Sequence, residues 1–166
     1  MAKRRKKKEE APPVERFGDK IVARNKRASF EFELGERFEA GLALVGSEVK
    51  MLREGHADLS DAFVRIERGE GFVIGLNIPE MPGAAYGHVA KRTRKLLLHK
   101  QELEQIQRAV EREGMTAVAT RLYFRGGRAK LELALARGKR KVDKRETLKA
   151  READREAEAA IARHHR

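Results

Sequence analysis

The 166-residue sequence has no cysteine and no tryptophan, and only 5% of its residues are aromatic. The absence of cysteine excludes disulfides, thiolate nucleophiles and cysteine-based zinc sites. The basic start of the chain is followed by no apolar segment, and no apolar run approaches the roughly 20 residues that span a bilayer. We therefore expect a soluble, cytoplasmic protein with neither a signal peptide nor a membrane anchor.

Positive charge is what the chain has in excess. It carries 38 Lys and Arg against 26 Asp and Glu, a formal net charge of +12. The excess lies at the two ends: residues 1–27 hold 11 cations and 4 anions, and residues 139–166 hold 10 and 6. A nearly neutral middle between two basic ends indicates a body with arms that follow phosphates, although solubilising tails would have the same composition.

Alternating apolar residues predict a mainly β body. Strands are predicted at residues 29–34, 42–51, 62–66, 72–78, 118–124 and 131–135. A change of apolar parity beside Gly46 indicates a bulge of the kind that helps to close a barrel. We predict an OB-fold-like antiparallel β-barrel of about six strands, with a sandwich under a covering helix as the alternative.

One long packed helix is predicted from Thr93 to Glu113, with Thr93 as its cap and Gly114 after its end. Residues 79–92 have the proline and glycine content of a loop. On the strands that follow the helix, the expected inward side chains are Val118, Thr120, Leu122, Phe124, Leu131, Leu133 and Leu135, with Lys130 and Glu132 outward.

The chain divides into three expected segments. Residues 1–20 form a flexible basic arm, residues 21–138 an OB-fold RNA-binding body, and residues 139–166 a basic tail. The tail has few apolar residues, and like charges four apart, such as Arg151 and Arg155, oppose an isolated helix. We expect a disordered tail that becomes helical when an RNA surface screens its arginines.

Besides the terminal run at residues 3–8, two groups of cations are candidate RNA contacts. Residues 91–95, KRTRK, surround the predicted helix start, where free N–H groups attract phosphate. A solvated helix start is the alternative, but cations there oppose the helix dipole. The second group lies on the last strand pair and comprises Arg121, Tyr123, Arg125, Arg128 and Lys130. Its tyrosine would either stack on an unpaired base or pack across the strands.

Glu39 is a candidate fixed carboxylate, because it stands between Phe38 and the small residues Ala40 and Gly41. It would either cap a helix or pair with an arginine, or accept hydrogen bonds from a base amino group or the 2′-OH of RNA.

Enzyme chemistry finds little support. His56, Asp58 and Asp61 could form an acid–base or metal set, but a polar turn accounts for them better. The sequence has no P-loop, no dinucleotide fingerprint and no nucleophile motif. We expect neither catalysis nor a cofactor.

Several blocks occur in an order typical of one family. They are Asn25-Lys26-Arg27-Ala28, Phe38-Glu39-Ala40-Gly41-Leu42, Gly46-Ser47-Glu48-Val49-Lys50, Leu59-Ser60-Asp61-Ala62, Arg94-Lys95-Leu96-Leu97-Leu98-His99, Leu122-Tyr123-Phe124, Gly138-Lys139-Arg140 and Asp143-Lys144-Arg145. With these blocks the sequence resembles the SsrA-binding proteins, also called SmpB, over about residues 21–150. Phe30 departs from the pattern, since many relatives have histidine there.

The resemblance implies a body that holds the tRNA-like domain of transfer-messenger RNA (tmRNA, or SsrA RNA). It also implies a tail that occupies the empty mRNA channel and decoding centre of a stalled ribosome. The chain would then be a monomeric adaptor in trans-translation, with elongation factor Tu reached through the aminoacylated RNA. Its work would be ribosome rescue and tagging of the nascent peptide for degradation.

Family RNA-binding positions map to Asn25, Glu39, Leu97 and Lys130. With the cations chosen above, the predicted RNA-binding set is Asn25, Lys26, Arg27, Glu39, Arg92, Arg94, Lys95, Leu97, Tyr123, Arg125, Arg128 and Lys130. The predicted tail set is Gly138, Lys139, Arg140, Lys141, Asp143, Lys144 and Arg145.

Other functions stay open from the residues alone. A ribosomal or general OB-type protein would bind RNA with little preference, and its affinity would collapse as salt rises. An RNA-processing enzyme would need a catalytic set that the sequence does not offer. A membrane-surface role is least favoured, because neither basic end is strongly amphipathic.

Overall fold

A computed structural model describes residues 20–164 of the chain. The basic arm predicted for residues 1–20 therefore lies outside the described residues, apart from Lys20. The described strands are β1 (Lys20–Arg24), β2 (Phe32–Leu42), β3 (Phe63–Glu67), β4 (Glu70–Ile74), β5 (Arg94–Leu97), β6 (Thr116–Arg125) and β7 (Arg128–Gly138). The described helices are α1 (Lys26–Glu31), α2 (Gly46–Arg53), α3 (Lys100–Glu113) and α4 (Lys141–His164).

Six of the strands close into an antiparallel barrel. Their order is β6-β3-β4-β5-β2-β7, and β7 pairs back onto β6, while β1 pairs with β6 outside this ring. Closure removes the open sheet edges, and side chains such as Leu96, Leu122 and Leu133 fill the interior with at most 2% of their surface exposed. The prediction of an OB-like barrel is confirmed, and the sandwich alternative is wrong.

The first two predicted strands are partly wrong. Phe30 belongs to α1, and a single strand then runs through the predicted break at Gly35, with a register shift between Leu34 and Arg37. The bulge thus lies near Gly35 and not at Gly46, where α2 begins.

Residues 46–53 form a helix because local hydrogen bonding and burial both favour one. The carboxylate of Glu48 accepts the N–H of Val45 at 3.0 Å, which satisfies a backbone donor at the helix start. Glu48, Met51 and Leu52 are buried together, a spacing of three and four residues that fits a helix face. The strand predicted for residues 42–51 is therefore wrong over this segment, although the apolar residues at 45, 49 and 51 also fit the two-residue period of a strand.

The predicted long helix is correct at its end and wrong at its start. Gly114 ends α3 with a φ of 63°, the left-handed conformation that glycine adopts without strain. However, α3 begins at Lys100, and residues 94–97 form β5, in which buried Arg94 and Leu96 alternate with exposed neighbours. The run of three leucines at 96–98 fits either period, which is why the sequence pattern misplaced the boundary.

The predicted hairpin after the long helix is present as β6 and β7, but the face to which the side chains of β6 point changes along the strand. A register shift between Ala119 and Arg121 puts Ala117 and Ala119 in the same core as Leu122, whereas Val118 packs on the other side of the sheet. The expectation that Val118, Thr120, Leu122 and Phe124 all face one way is therefore wrong.

In the earlier hairpin, β4 ends at Ile74, because Gly75 turns the chain with a φ of 79°. A Cβ at Gly75 would lie 2.4 Å from the carbonyl oxygen of Asp61, so only glycine fits there. Leu76 and Ile78 are buried beyond this turn rather than in the predicted strand.

Residues 141–164 form one 24-residue helix, α4, where a disordered tail was predicted. Contacts with α1 explain part of the difference. Arg151 donates to Oγ of Ser29 at 2.9 Å, and its guanidinium lies 5.8 Å from the ring centroid of Phe30. Among the described residues, no helix is both long and apolar enough to cross a membrane.

Candidate nucleic-acid interface

The outer face of the barrel carries a row of register-matched residues. Leu97 of β5 lies opposite Gly41 of β2, which lies opposite Lys130 of β7. Lys130 in turn lies opposite Tyr123 of β6. We call these four residues the Leu97–Lys130 row. Leu97 is 57% exposed, and Gly41 places no side chain between Leu97 and Lys130. Two positions that the resemblance implies for RNA binding thus share one face.

Glu39 is fixed beside this row by two donors. The phenol of Tyr123 donates to Oε2 of Glu39, and Nη1 of Arg125 donates to the same oxygen. Burial, followed by the bond to Glu39, raises the pKa of Tyr123, so the phenol keeps its proton. The structure shows the arginine-paired alternative for Glu39, whose side chain is still 34% exposed. An RNA contact by Glu39 stays a prediction.

Tyr123 is covered by its neighbours. It is 3% exposed, and the guanidinium groups of Arg121 and Arg125 lie 5.0 and 5.2 Å from its ring centroid. Cations over an aromatic face are attracted by the ring quadrupole, and here they leave no ring surface for a base. The stacking interpretation of Tyr123 is therefore wrong, and the packing alternative holds.

Beside the row, a cleft of about 300 Å³ lies between α1 and the sheet, and we call it the α1 cleft. Its lining includes Lys26, Ser29, Leu34, Arg37, Thr120, Arg121 and Glu132. Glu132 accepts from Nη1 of Arg37 at 2.6 Å and from Nη2 of Arg121 at 2.8 Å. Burial alone would raise the pKa of Glu132, but these arginines and the Thr120 hydroxyl hold it below its ordinary value. Glu132 points away from the core as expected, but it is only 4% exposed because Arg37 and Arg121 cover it.

Asn25 holds the start of α1 in place. Its Oδ1 accepts the N–H of Ala28 at 3.0 Å, which caps the helix. Its Nδ2 donates to the carbonyl oxygens of Leu59 and Ala119, both at 2.9 Å. Both amide hydrogens and the side-chain oxygen are thus engaged inside the protein, which favours a positioning role for Asn25 over a direct RNA contact.

Residues 91–95 do not surround a helix start, since α3 begins at Lys100. Arg94 is fully buried, and it donates to Glu48 at 2.8 Å and to the carbonyl oxygen of Leu76 at 2.7 Å. Because Arg94 has no exposed surface, the prediction that it contacts RNA is wrong. The predicted phosphate site at a helix N-terminus is also wrong, because residues 91–95 do not lie at the start of α3.

Arg92 shares the carboxylate of Glu48 with Arg94. Its Nε and Nη2 donate to the two oxygens of Glu48, each at 2.7 Å, and its side chain is 32% exposed. Burial alone would raise the pKa of Glu48, but the bonds from Arg92, from the Val45 N–H and from Arg94 hold it below its ordinary value. No local sequence pattern indicates that Glu48 pairs with arginines 44 and 46 residues away in the chain.

Of the other predicted cations of the body, Lys26, Arg27, Lys95 and Arg128 are exposed, whereas Arg125 and Lys130 are partly buried. Arg27 lies 3.5 Å from Asp61, and Lys95 lies 2.8 Å from Glu70. Exposed pairs of this kind contribute little to stability, so an RNA phosphate can replace the carboxylate partner at small cost. Arg128 is exposed at the tip of the β6–β7 hairpin.

The predicted tail set begins at the end of β7, which Gly138 closes. Nζ of Lys139 donates to the carbonyl oxygen of Ser29 at 3.0 Å, which ties the chain back to α1. The N–H of Arg140 donates to Oδ2 of Asp143 at 3.3 Å, at the start of α4. The first two turns of α4 then carry Lys141, Lys144 and Arg145.

The polar turn near residue 58 resembles no catalytic set. Oδ1 of Asp58 accepts the N–H and the hydroxyl of Ser60, at 2.8 and 2.6 Å, while Asp61 faces Arg27. His56 is exposed, with its nearest acid Glu54 at 3.9 Å. Within residues 20–164, no cluster of three His, Cys, Asp or Glu could hold a metal ion.

Comparison with known proteins decides the family. A family model described as SmpB protein matches residues 22–163. The chain belongs to the SmpB family. A curated SsrA-binding protein of Sorangium cellulosum is 58% identical over 154 residues, which is 93% of each chain. One of Solidesulfovibrio magneticus is 49% identical over 148 residues, covering 89% of this chain and 96% of the relative.

A solved SmpB-family structure also resembles this chain. It is described as "tmRNA-SmpB: a journey to the center of the bacterial ribosome". It aligns with a TM-score of 0.61 and 43% sequence identity, covering 76% of this chain and 93% of that one. The match to the SmpB family model, at residues 22–163, includes all four residues of the Leu97–Lys130 row.

Proposed function

We propose that this chain binds the tRNA-like domain of tmRNA and delivers it to stalled ribosomes for trans-translation. The observation that carries the proposal is the Leu97–Lys130 row with Glu39 beside it. Three residues that sequence resemblance implies for RNA binding lie on one outer face of the closed barrel. Curated relatives are named for binding SsrA RNA, and a solved relative is described with tmRNA and the ribosome.

The chemistry of this face suits a folded RNA. Lys130 offers a cation for the phosphate backbone, and Leu97 offers an exposed apolar surface for an unstacked base or a sugar. Glu39 offers a fixed acceptor, and the 2′-OH is the donor that distinguishes RNA from DNA. A barrel supplies such contacts with little loss of conformational entropy, because its strands are already ordered.

The tail, residues 139–166, has a separate role in this proposal. It occupies the empty mRNA channel and decoding centre, where Lys139, Lys144 and Arg145 meet ribosomal RNA. A helix of 24 residues is about 36 Å long, enough to reach well beyond the barrel. In this proposal the RNA-binding body is residues 21–138.

The chain acts as an adaptor and not as an enzyme. It works as a monomer in the cytoplasm, and elongation factor Tu joins through the aminoacylated tmRNA. Ribosome rescue and tagging of the nascent peptide for degradation follow from delivery of this RNA.

Competition binding tests the body. The full chain is titrated against tmRNA, an ordinary tRNA and a double-stranded RNA at near-physiological salt, where purely electrostatic binding is weak. The proposal expects a strong preference for tmRNA, reduced in Lys130→Gln and unchanged in Arg112→Gln, an exposed cation of α3 outside the row. Equal affinity for all three RNAs would leave only a general basic RNA-binding protein.

A rescue assay tests the tail. The double variant Lys144→Gln/Arg145→Gln is expected to bind tmRNA like the native chain but to tag fewer nascent peptides on stalled ribosomes. Unchanged tagging, or a loss of tmRNA binding that matches the loss of tagging, would contradict a separate role for the tail.

A further inference from the structure

We infer that the α1 cleft binds one backbone phosphate of the RNA, with Arg37 and Arg121 as the cations that hold it. The inference rests on the proposed function, because it assigns an additional contact to the same bound RNA. It adds Arg37, which neither the sequence pattern nor the resemblance assigned to RNA contact, and it gives Arg121, a candidate cation of β6, a specific phosphate partner. The cleft is distinct from the Leu97–Lys130 row but opens beside it.

Arg37 is the accessible cation of the pair. Its side chain is 37% exposed, and it uses Nη1 for Glu132 at 2.6 Å. Its Nε and Nη2 make no hydrogen bond with any residue between 20 and 164. A guanidinium presents its N–H groups as a planar fork that fits two phosphate oxygens, so the unused edge of Arg37 is a suitable phosphate ligand.

Arg121 supplies the second observation. Its Nη2 is bound to Glu132, but its Nε is buried and has no hydrogen-bond partner in the described part of the chain. A buried donor without an acceptor is unfavourable, and such groups in native proteins call for an explanation. A phosphate oxygen in the cleft provides an acceptor once the Arg121 side chain, 15% exposed, turns slightly towards it.

The charge of the cleft favours an anion even though Glu132 lies in it. Two arginines share this one carboxylate, and Lys26 adds a further cation to the lining. The local balance is therefore positive. Glu132 itself orients both guanidinium groups, as carboxylates commonly do for cations that bind phosphate in pre-organised sites.

Position in the sheet identifies the anion as part of an RNA. Glu132 and Lys130 are two residues apart on β7 and share its outer face, which places them about 6.8 Å apart along the strand. An RNA strand that contacts Lys130 therefore passes the mouth of the cleft. Leu34 offers the cleft an apolar wall against which a ribose can pack.

Phosphate ethylation interference tests the inference. Randomly ethylated tmRNA is bound by the native full-length chain and by Arg37→Gln, with Arg37→Lys as the charge-preserving variant and Arg112→Gln as the control. In the native complex we expect ethylation of a small number of phosphates to weaken binding. In Arg37→Gln at least one of these positions no longer interferes, while the others persist, and affinity falls about five- to tenfold, in line with one charge-assisted contact.

Each outcome bears on the inference. Arg37→Lys is expected to retain part of the interference, and Arg112→Gln all of it. The inference is overturned when Arg37→Gln binds like the native chain, or binds more weakly with every interfering phosphate unchanged, since the second result shows a purely structural arginine. Failure of the proposed function differs, because it appears in the native chain as equal affinity for tmRNA and tRNA.

Discussion

Arg94 and Glu48 form an ion pair in which neither side chain has any exposed surface, with 2.8 Å between Nε and Oε1. Glu48 lies on α2 and Arg94 on β5, and Arg94 also donates to the carbonyl oxygens of Leu76 and Ala90. The pair therefore ties α2 and the loop before β5 to the strand that presents Leu97. The buried pair therefore helps to hold the strand that carries Leu97 of the Leu97–Lys130 row.

Removal of one partner should destabilise the fold strongly. Glu48→Gln leaves two arginines without their carboxylate, and uncompensated buried charges of this kind cost about 3–5 kcal/mol. Urea unfolding followed by circular dichroism measures the change. The control is Glu67→Gln, which breaks the exposed pair with Arg65 and should leave the unfolding midpoint where it is. Similar midpoints for both variants would contradict the structural role of Glu48.

Acid should weaken the fold in a defined range. Glu48 and Glu132 both have a folded-state pKa below the ordinary value of 4.5. A lowered pKa means that the unfolded chain binds protons first, so this contribution is complete above about pH 4.5 and is lost as the pH falls through the folded-state values. Unfolding free energies between pH 7 and pH 3 measure it. Glu132→Gln should flatten the decline, and a native stability that stays constant down to pH 3 would refute the account.

The hydroxyl group of Tyr123 should contribute to both the stability of the fold and the affinity for tmRNA. Tyr123→Phe keeps the packing between two arginines but removes the donor to Glu39, a loss of about 1–2 kcal/mol for a bond to a partly exposed carboxylate. Affinity for tmRNA should fall as well, because Glu39 loses one of the two donors that hold its carboxylate in place. Tyr86→Phe is the matched control, since Tyr86 is 97% exposed. Equal behaviour of the two variants in unfolding and binding assays would contradict the role of the phenol.

Docking of α4 on α1 should depend on Arg151. Its contacts with Ser29 and the ring of Phe30 are worth about 1 kcal/mol at an exposed site, so Arg151→Gln should speed amide exchange in residues 141–151 about fivefold. Arg155→Gln removes an exposed cation from the same helix and should leave exchange in that segment unchanged. An equal acceleration in both variants would indicate a general effect of charge.

Much of the fold could be predicted from the sequence because its signals are local. Alternation in the hairpin strands and Gly114 at the end of α3 are visible in the chain itself, and they place the barrel and one helix boundary correctly. The errors fall where two periods compete. The leucines at 96–98 fit a helix as well as the strand that the register with β2 selects, and residues 45–51 fit a strand as well as α2.

The candidate site could be predicted only in part, because its decisive contacts join distant segments. The resemblance identified Glu39, Leu97 and Lys130, but no local pattern shows that Arg94 is buried against Glu48. Nor does the pattern of β6 reveal that arginines on both sides cover Tyr123. Arg37, 95 residues from Glu132 in the chain, was missed because only the closed barrel brings the two together.

The central claim is that the Leu97–Lys130 row recognises tmRNA, and Leu97→Ala tests it most directly. Leu97 is uncharged and 57% exposed, so its truncation alters neither the electrostatic attraction nor the core. Binding of tmRNA and tRNA is measured over a range of salt concentrations, with Val89→Ala, also exposed, as the control.

We expect Leu97→Ala to weaken tmRNA binding about tenfold and to reduce the preference over tRNA. The dependence of affinity on salt should stay the same, since no phosphate contact is lost. An unchanged preference in Leu97→Ala, or an equal loss in Val89→Ala, would contradict the assignment of this face as the tmRNA-binding surface.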